Sequence, residues 1–253
     1  MKYRLLSVLC FCVLPICLLQ ICASPALAAT QPLRIGVASN FAKPMEALIA
    51  EYHQAYPTAD AIAISIGSTG KLYAQIQQGA PLDLFFAADE ERPNQLVQAG
   101  LTLGPAQPYT QGRLVFWHPK DAKRPELPNQ VKQSTSIAIA NPRLAPYGLA
   151  ARQTLDGLGW NPPHQVSLIT LENVGQTWAI VASGNASAGF VALSQIREQR
   201  LPEHTYTLVP EHLHEPIVQA AVIIGATAKP EAAAHFLNFV QSRSSVPPPE
   251  LSQ

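Results

Sequence analysis

The sequence predicts an α/β protein made of two units, each a sheet flanked by helices. Three observations lead there. Short apolar runs alternate with amphipathic stretches along the chain, and the apolar runs carry few polar residues on either face. Strands of that kind need helices on both sides of a largely parallel sheet. The stretch of about 210 residues holding this alternation is also long enough for two units of about a hundred residues each.

The elements follow in order. Residues 33–38 predict a strand and 41–55 an amphipathic helix with Met45, Leu48, Ile49 and Tyr52 on one face. Strand 61–66, helix 70–78, strand 82–88 and helix 93–99 complete a βαβ series. Strand 113–117 comes next, then a Pro-rich loop around Pro125 and Pro128, strand 136–140 and helix 146–158. Strand 165–170, helix 174–183 closed by Gly184, and a short strand 188–193 lead into a loop over 202–215. Strand 217–225 and helix 231–241 end the pattern, and the Pro-rich tail is expected to be loose. The chain should cross between lobes near 111–113 and 215–218, giving one lobe from 33–112 with 216–243, a second from 113–215, and a tail at 244–253.

Residues 1–28 read as a secretory signal peptide: Lys2 and Arg4 form the positive start, 5–21 the apolar run, and Ala26-Leu27-Ala28 the small-x-small cleavage pattern. Cys10, Cys12, Cys17 and Cys22 all lie inside it. A chain cut after Ala28 therefore has no disulfide, thiolate nucleophile or Cys-ligated metal. Leu19-Gln20-Ile21 before Cys22 lacks the small residues of a lipoprotein signal, so a free periplasmic protein is expected. Of 17 basic and 17 acidic side chains, Lys2 and Arg4 leave with the leader, so 15 basic face 17 acidic. No basic field remains to hold nucleic acid or an anionic membrane. With 47% hydrophobic and 13% charged residues, the chain can bury two cores.

Candidate chemistry sits at the strand-to-helix turns. Val37-Ala38-Ser39-Asn40 ends the first strand and Ile66-Gly67-Ser68-Thr69-Gly70 the second. Ala140-Asn141-Pro142 with Ala145-Pro146-Tyr147-Gly148, and Glu172-Asn173-Val174-Gly175-Gln176, precede two later helices. Ser, Thr and Asn at such turns serve as N-caps. The same turns also point unpaired N–H groups outward at the positive end of a helix dipole, an anion site that needs no Lys or Arg. In open α/β sheets, ligands bind at the carboxyl ends of the strands, where these turns lie.

Together with Gly67-Ser68-Thr69-Gly70-Lys71-Leu72-Tyr73-Ala74-Gln75-Ile76 and Gly79-Ala80-Pro81-Leu82-Asp83-Leu84-Phe85-Phe86-Ala87-Ala88-Asp89, these turns resemble, in order and spacing, the periplasmic molybdate-binding proteins of ABC transporters. The resemblance runs from about Leu33 to Phe239. It implies a type II periplasmic binding protein fold: two lobes of mixed sheets flanked by helices, with the ligand cleft between them. It also implies that Ser39, Asn40, Thr69, Tyr147 and the backbone amide of Val174 hold molybdate or tungstate, with no cofactor and no bound metal cation. The partners implied are the oxyanion and an inner-membrane ABC permease, and the protein is expected to be a monomer. Some members of the family add a tyrosine in a later strand, where this chain has Ala192; another branch instead carries a Tyr in the Pro-Tyr-Gly turn, as Tyr147 does here. Family members usually continue past the last helix, whereas this chain turns to Ser244-Ser245-Val246-Pro247-Pro248-Pro249, so part of the first lobe's outer packing is expected to be missing.

Other readings are weaker. A P-loop would need Gly at Ser65 and a hydroxyl at Leu72, and a nucleophile elbow around Ser68 would need Gly at Ile66. The seven histidines are scattered, and His212 and His214 read as solvated loop residues rather than a metal pair. Asp83 and Asp89 bracket one strand, where a turn contact and a helix cap account for them. An exported enzyme therefore stands as the alternative class. Sulfate, phosphate, an organic anion or ferric iron stand as alternative ligands. Phosphate carries a proton near neutral pH and wants an acceptor carboxylate, which none of the five site residues supplies.

Overall fold

The structure is a computed structural model that describes residues 31–120, 126–160 and 166–243. Residues 1–28, expected to be a signal peptide, the tail at 244–253 and Pro125 lie outside those residues.

The chain runs β1 (Leu33–Ala38), a 3-10 turn at Ser39–Phe41, α1 (Ala42–Ala55), β2 (Ile62–Gly67), α2 (Thr69–Gln77), β3 (Leu84–Phe86), α3 (Glu91–Gln98) and β4 (Gln107–Gly112). It continues with β5 (Leu114–Trp117), α4 (Leu127–Gln133), β6 (Ser136–Ala140), α5 (Pro146–Gly157), β7 (Ser167–Leu171), α6 (Val174–Ala182), β8 (Ala188–Ala192) and α7 (Leu193–Glu198). A 3-10 turn at Glu203–Thr205, β9 (Tyr206–Leu208), a second such turn at Glu211–Leu213, β10 (Ile217–Ile223) and α8 (Pro230–Ser242) complete it.

The strands form two five-stranded sheets of equivalent order, β2-β1-β3-β10-β4 and β7-β6-β8-β5-β9. In each, three strands are parallel, as the apolar runs predict. The fourth, β10 or β5, then runs antiparallel to both neighbours, so both sheets are mixed. The fourth place is taken each time by a strand entered from the other sheet: β5 follows β4 after Gly112, and β10 follows β9. The parallel core places β1 and β6 at the point where successive crossovers leave in opposite directions, the usual ligand position in such sheets.

Strand alternation divides the first sheet's core cleanly. Ile35, Val37, Leu84 and Phe86 pack with Met45, Tyr52 and Phe236 on one face, while Phe85 and Val222 pack with Leu72, Ile76 and Leu96 on the other. The second sheet buries all of Leu114–Trp117 and Ala188–Ala192. The Trp117 ring stacks on that of Trp178 at 4.1 Å.

Four segments depart from expectation. Leu127–Gln133 is a helix rather than a loop, because Pro128 sits in its first turn, where a missing N–H costs no hydrogen bond. Gln107–Gly112 is an unforeseen strand; it is polar because it lies at the sheet edge, where Pro108 is tolerated. The expected loop at 202–215 contains β9, also an edge strand, and α7 follows β8 directly.

Candidate functional site

Helices α2 and α6 begin in the same way. In α2 the Ser68 hydroxyl accepts from the Lys71 N–H at 3.3 Å, and in α6 the Asn173 side chain accepts from the Gln176 N–H at 3.0 Å, so each N-cap satisfies the third amide. The second amide of each helix belongs to a glycine and reaches the opposite sheet's half of the molecule. Gly70 N–H donates to the Leu144 carbonyl at 2.8 Å, and Gly175 N–H donates to Ser39 Oγ at 3.2 Å. The first amides, of Thr69 and Val174, are left at the positive helix ends, with no earlier turn to accept from them. A side chain would be crowded at both second positions: a Cβ on Gly70 would lie 3.1 Å from the Leu144 backbone, and one on Gly175 3.1 Å from Asn173 Oδ1 and 3.3 Å from Ser39 Cβ.

Each predicted hydroxyl is turned by a protein donor. Ser39 Oγ accepts from Gly175, Thr69 Oγ1 accepts from Ala88 N–H at 3.0 Å, and Tyr147 Oη accepts from Gln219 Nε2 at 3.3 Å. With an N–H already facing each oxygen, each hydroxyl proton points elsewhere and remains available to donate. Burial pushes the Tyr147 phenol above its ordinary 10.0, against hydrogen bonds from Gln219 and Asn40 that favour ionisation, so Tyr147 keeps its proton.

Of the five predicted residues, Asn40, Thr69, Tyr147 and Val174 are buried and Ser39 is half-buried. Asn40 and Tyr147 meet through the Gln219 side chain, since Asn40 Nδ2 donates to Gln219 Oε1 at 2.9 Å. Ser39 meets Gly175, the neighbour of Val174. Thr69 makes no side-chain bond to the other four among the described residues; it is tied to the Tyr147 helix through the Gly70 to Leu144 bond. Ala192 presents no hydroxyl, but its N–H donates to Gln195 Oε1, and α7 supports the site from behind. Ser194 Oγ donates to the Asn40 carbonyl at 3.2 Å and Gln195 Nε2 to the Val174 carbonyl at 3.3 Å.

Gln219 was missed by the sequence reading, although a lone Gln in the apolar run Ile217-Val218-Gln219-Ala220-Ala221-Val222 was a usable signal, because a buried amide requires partners. No cationic side chain lies among these contacts. Lys71 pairs with Glu172 at 3.2 Å, and the Arg92 guanidinium pairs with Asp89 and donates to the Arg143 carbonyl at 2.8 Å. Asp89 also accepts from the Arg92 N–H at 3.1 Å in the first turn of α3, as a cap does, whereas the Asp83 carboxylate, among the described residues, makes no contact within its own turn and instead accepts from the Arg34 N–H of β1 at 2.7 Å and from the Thr227 hydroxyl. Among the described residues no three His, Cys, Asp or Glu side chains gather as a metal site.

Two recesses share Asn40. One of about 200 Å³ is lined by Ser39, Gly175 and Trp178 together with the charged Lys43 and Glu198, and one of about 510 Å³ by Tyr147, Gly112 and Gln219 together with Arg113, Arg197 and Glu198. A recess of about 530 Å³ between Arg34, Ser65, Gln75 and Pro81 carries none of the converging helix ends. What the arrangement can do chemically is offer a small anion neutral N–H and O–H donors, with Lys43, Arg113 and Arg197 lining the same recesses.

Residues 33–245 match the family described as bacterial extracellular solute-binding protein. The molybdate-binding protein ModA of Azotobacter vinelandii is 35% identical over 213 residues, covering 83% of this chain and 84% of that protein. Its namesake in Rhodobacter capsulatus is 33% identical over 217 residues, 85% of this chain and 84% of its own. The solved periplasmic molybdate-binding protein of Azotobacter vinelandii superposes with a TM-score of 0.75 over 83% of this chain and 92% of that one. Two mixed sheets of matching order, converging helix ends and this extent of similarity lead to one assignment: the chain belongs to the bacterial extracellular solute-binding proteins.

Proposed function

We propose that this protein captures molybdate or tungstate in the cleft between two lobes and delivers it to the permease of an ABC importer. The observation that carries the reading is that Ser39, Thr69 and Tyr147 each take a hydrogen bond from a protein N–H, so the site faces its ligand as a set of donors. A fully deprotonated tetrahedral oxyanion is all acceptor and matches such a set. The two molybdate-binding relatives, at 35% and 33% identity, supply the element.

In this reading Ser39, Asn40 and Thr69 bind from the lobe formed by 33–112 and 216–243, and Tyr147 and the Val174 amide bind from the lobe formed by 113–215. The protein works as a periplasmic monomer, and binding rather than turnover is its task. Sulfate has the same charge and needs the same donors, so it is the second reading, separated from molybdate by size alone.

Calorimetric titration of the mature protein with molybdate, tungstate, sulfate and phosphate tests this. Tight binding of molybdate and tungstate with weak or absent binding of the others is expected. Sulfate binding as tightly as molybdate would reassign the ligand, and turnover of a substrate with no oxyanion binding would remove the reading.

A further inference from the structure

We infer that Gln219 is a positioning residue that sets which oxyanions the site accepts, by holding the Tyr147 hydroxyl as an obligate proton donor. The inference rests on the oxyanion reading above.

Gln219 lies in β10, 2% exposed, with both ends of its amide engaged. Oε1 accepts from Asn40 Nδ2 at 2.9 Å and lies 3.0 Å from the Tyr109 hydroxyl. In this arrangement Oε1 takes both the Asn40 and the Tyr109 donors, which leaves Nε2 as the end turned to Tyr147. Nε2 donates to Tyr147 Oη at 3.3 Å, and Tyr147 cannot donate back to it.

The surrounding backbone is shaped for this contact. Gln219 pairs with Thr110 and Ala220 with Pro108, which leaves Tyr109 as the extra residue of a β-bulge. Bulges re-aim side chains beside functional sites, and here the phenol of Tyr109 reaches both Gln219 and the Ala87 carbonyl. Gly112 in β4 leaves the space: a Cβ there would lie 2.3 Å from Tyr147 Oη and 2.9 Å from Gln219 Nε2. The main chain thus gives up a side chain where the tyrosine and the glutamine meet.

The chemical consequence concerns the ligand's protonation. A hydroxyl free to rotate can accept a hydrogen bond from a protonated anion such as hydrogenphosphate. A hydroxyl oxygen has two acceptor positions, and at Tyr147 the Gln219 and Asn40 amides both donate to it, so it is held in the donating orientation and meets a ligand proton with its own. Gln219 accordingly favours molybdate, tungstate and sulfate over hydrogenphosphate through Tyr147, without carrying charge.

The test is a double-mutant cycle read by calorimetry with molybdate, alone and in competition with excess phosphate, on the wild type, Gln219→Met, Tyr147→Phe and the double variant. Gln219→Met should weaken molybdate about tenfold while phosphate binding holds or improves, so that the selectivity ratio falls by at least about tenfold. In the Tyr147→Phe background the same substitution should change molybdate affinity by less than about twofold, because the hydroxyl it positions is gone. Should Gln219→Met fail to fold, Gln219→Glu preserves size and polarity while removing the amide donor, and the ratio must shift the same way. An unchanged ratio, or an equal loss with and without the Tyr147 hydroxyl, overturns the inference and leaves the oxyanion reading standing. A wild-type protein that binds no oxyanion overturns both.

Discussion

Ser39, Thr69 and Tyr147 come from different elements, yet each presents an oxygen that a protein N–H already occupies. If these hydroxyls hold a dianion, each hydrogen bond to the charged ligand is worth roughly 1.5 to 3 kcal/mol, so Ser39→Ala, Thr69→Ala or Tyr147→Phe should weaken molybdate binding about ten- to a hundredfold in titration calorimetry. Lys71→Gln is the contrasting variant. Its ammonium is half exposed and paired with Glu172, so the change should cost less than about threefold. If Lys71→Gln abolished binding while the hydroxyl variants kept it, a cationic site would replace the neutral one. The raised Tyr147 value also has a sign: its phenol stays protonated below its ordinary 10.0, so affinity should not fall through loss of that donor as pH rises from neutrality toward that value. The turns themselves were legible as strand-to-helix junctions rich in Ser, Thr and Asn, but N-capping, as by Ser68 and Asn173, is a common use of such residues, so which of them would face a ligand came from the family resemblance. In the sequence Gln219 was marked only as a lone amide in an apolar run, with nothing to name its partners, and Tyr109 was not marked at all. Their partners lie 179 and 110 residues away, and a bulge with no sequence signature of its own aims one of them.

Helices α2 and α6 show the same economy at the next scale. In each, the N-cap satisfies the third amide, the glycine in the second position spans the cleft, and the first amide is left at the helix end. Alanine at either glycine would favour the isolated helix by about 0.8–1 kcal/mol, yet its Cβ would press on Leu144 or Ser39. Gly70→Ala and Gly175→Ala should therefore leave the melting temperature of the ligand-free protein level or raised, while weakening molybdate binding by about tenfold through impaired apposition of the two sides. A melting temperature that fell along with affinity would point to local misfolding and remove the cleft-spanning role. The caps and helix starts could be read from sequence because they are local chemistry. Strands β4 and β9 could not, since edge strands keep polar residues and bury little, and α4 was hidden by a proline that a first helical turn accommodates.

Across the whole molecule, the two sheets repeat one order, and a strand arriving from the other sheet fills the fourth place in each. Alternating apolar runs were enough to foresee two α/β units, but the direction of β5 and β10 depends on where the chain comes from, which no local pattern records. On the proposed assignment three ligand residues stand on the first lobe and two on the second, so neither lobe completes the site alone and the anion belongs to the closed arrangement. A ligand that binds only this state adds RT ln(1 + [L]/Kd), about 2.7 kcal/mol at a hundredfold excess over Kd. For a chain of this size that corresponds to a rise in Tm of roughly 5–10 °C, readable by calorimetry or tryptophan fluorescence. Solution scattering should show the radius of gyration falling at saturating molybdate as the lobes hinge together. The two measurements separate two claims. A Tm rise without compaction would retain the site and discard the hinge, whereas no shift in either at millimolar molybdate, with the protein folded, would discard the site built from both lobes.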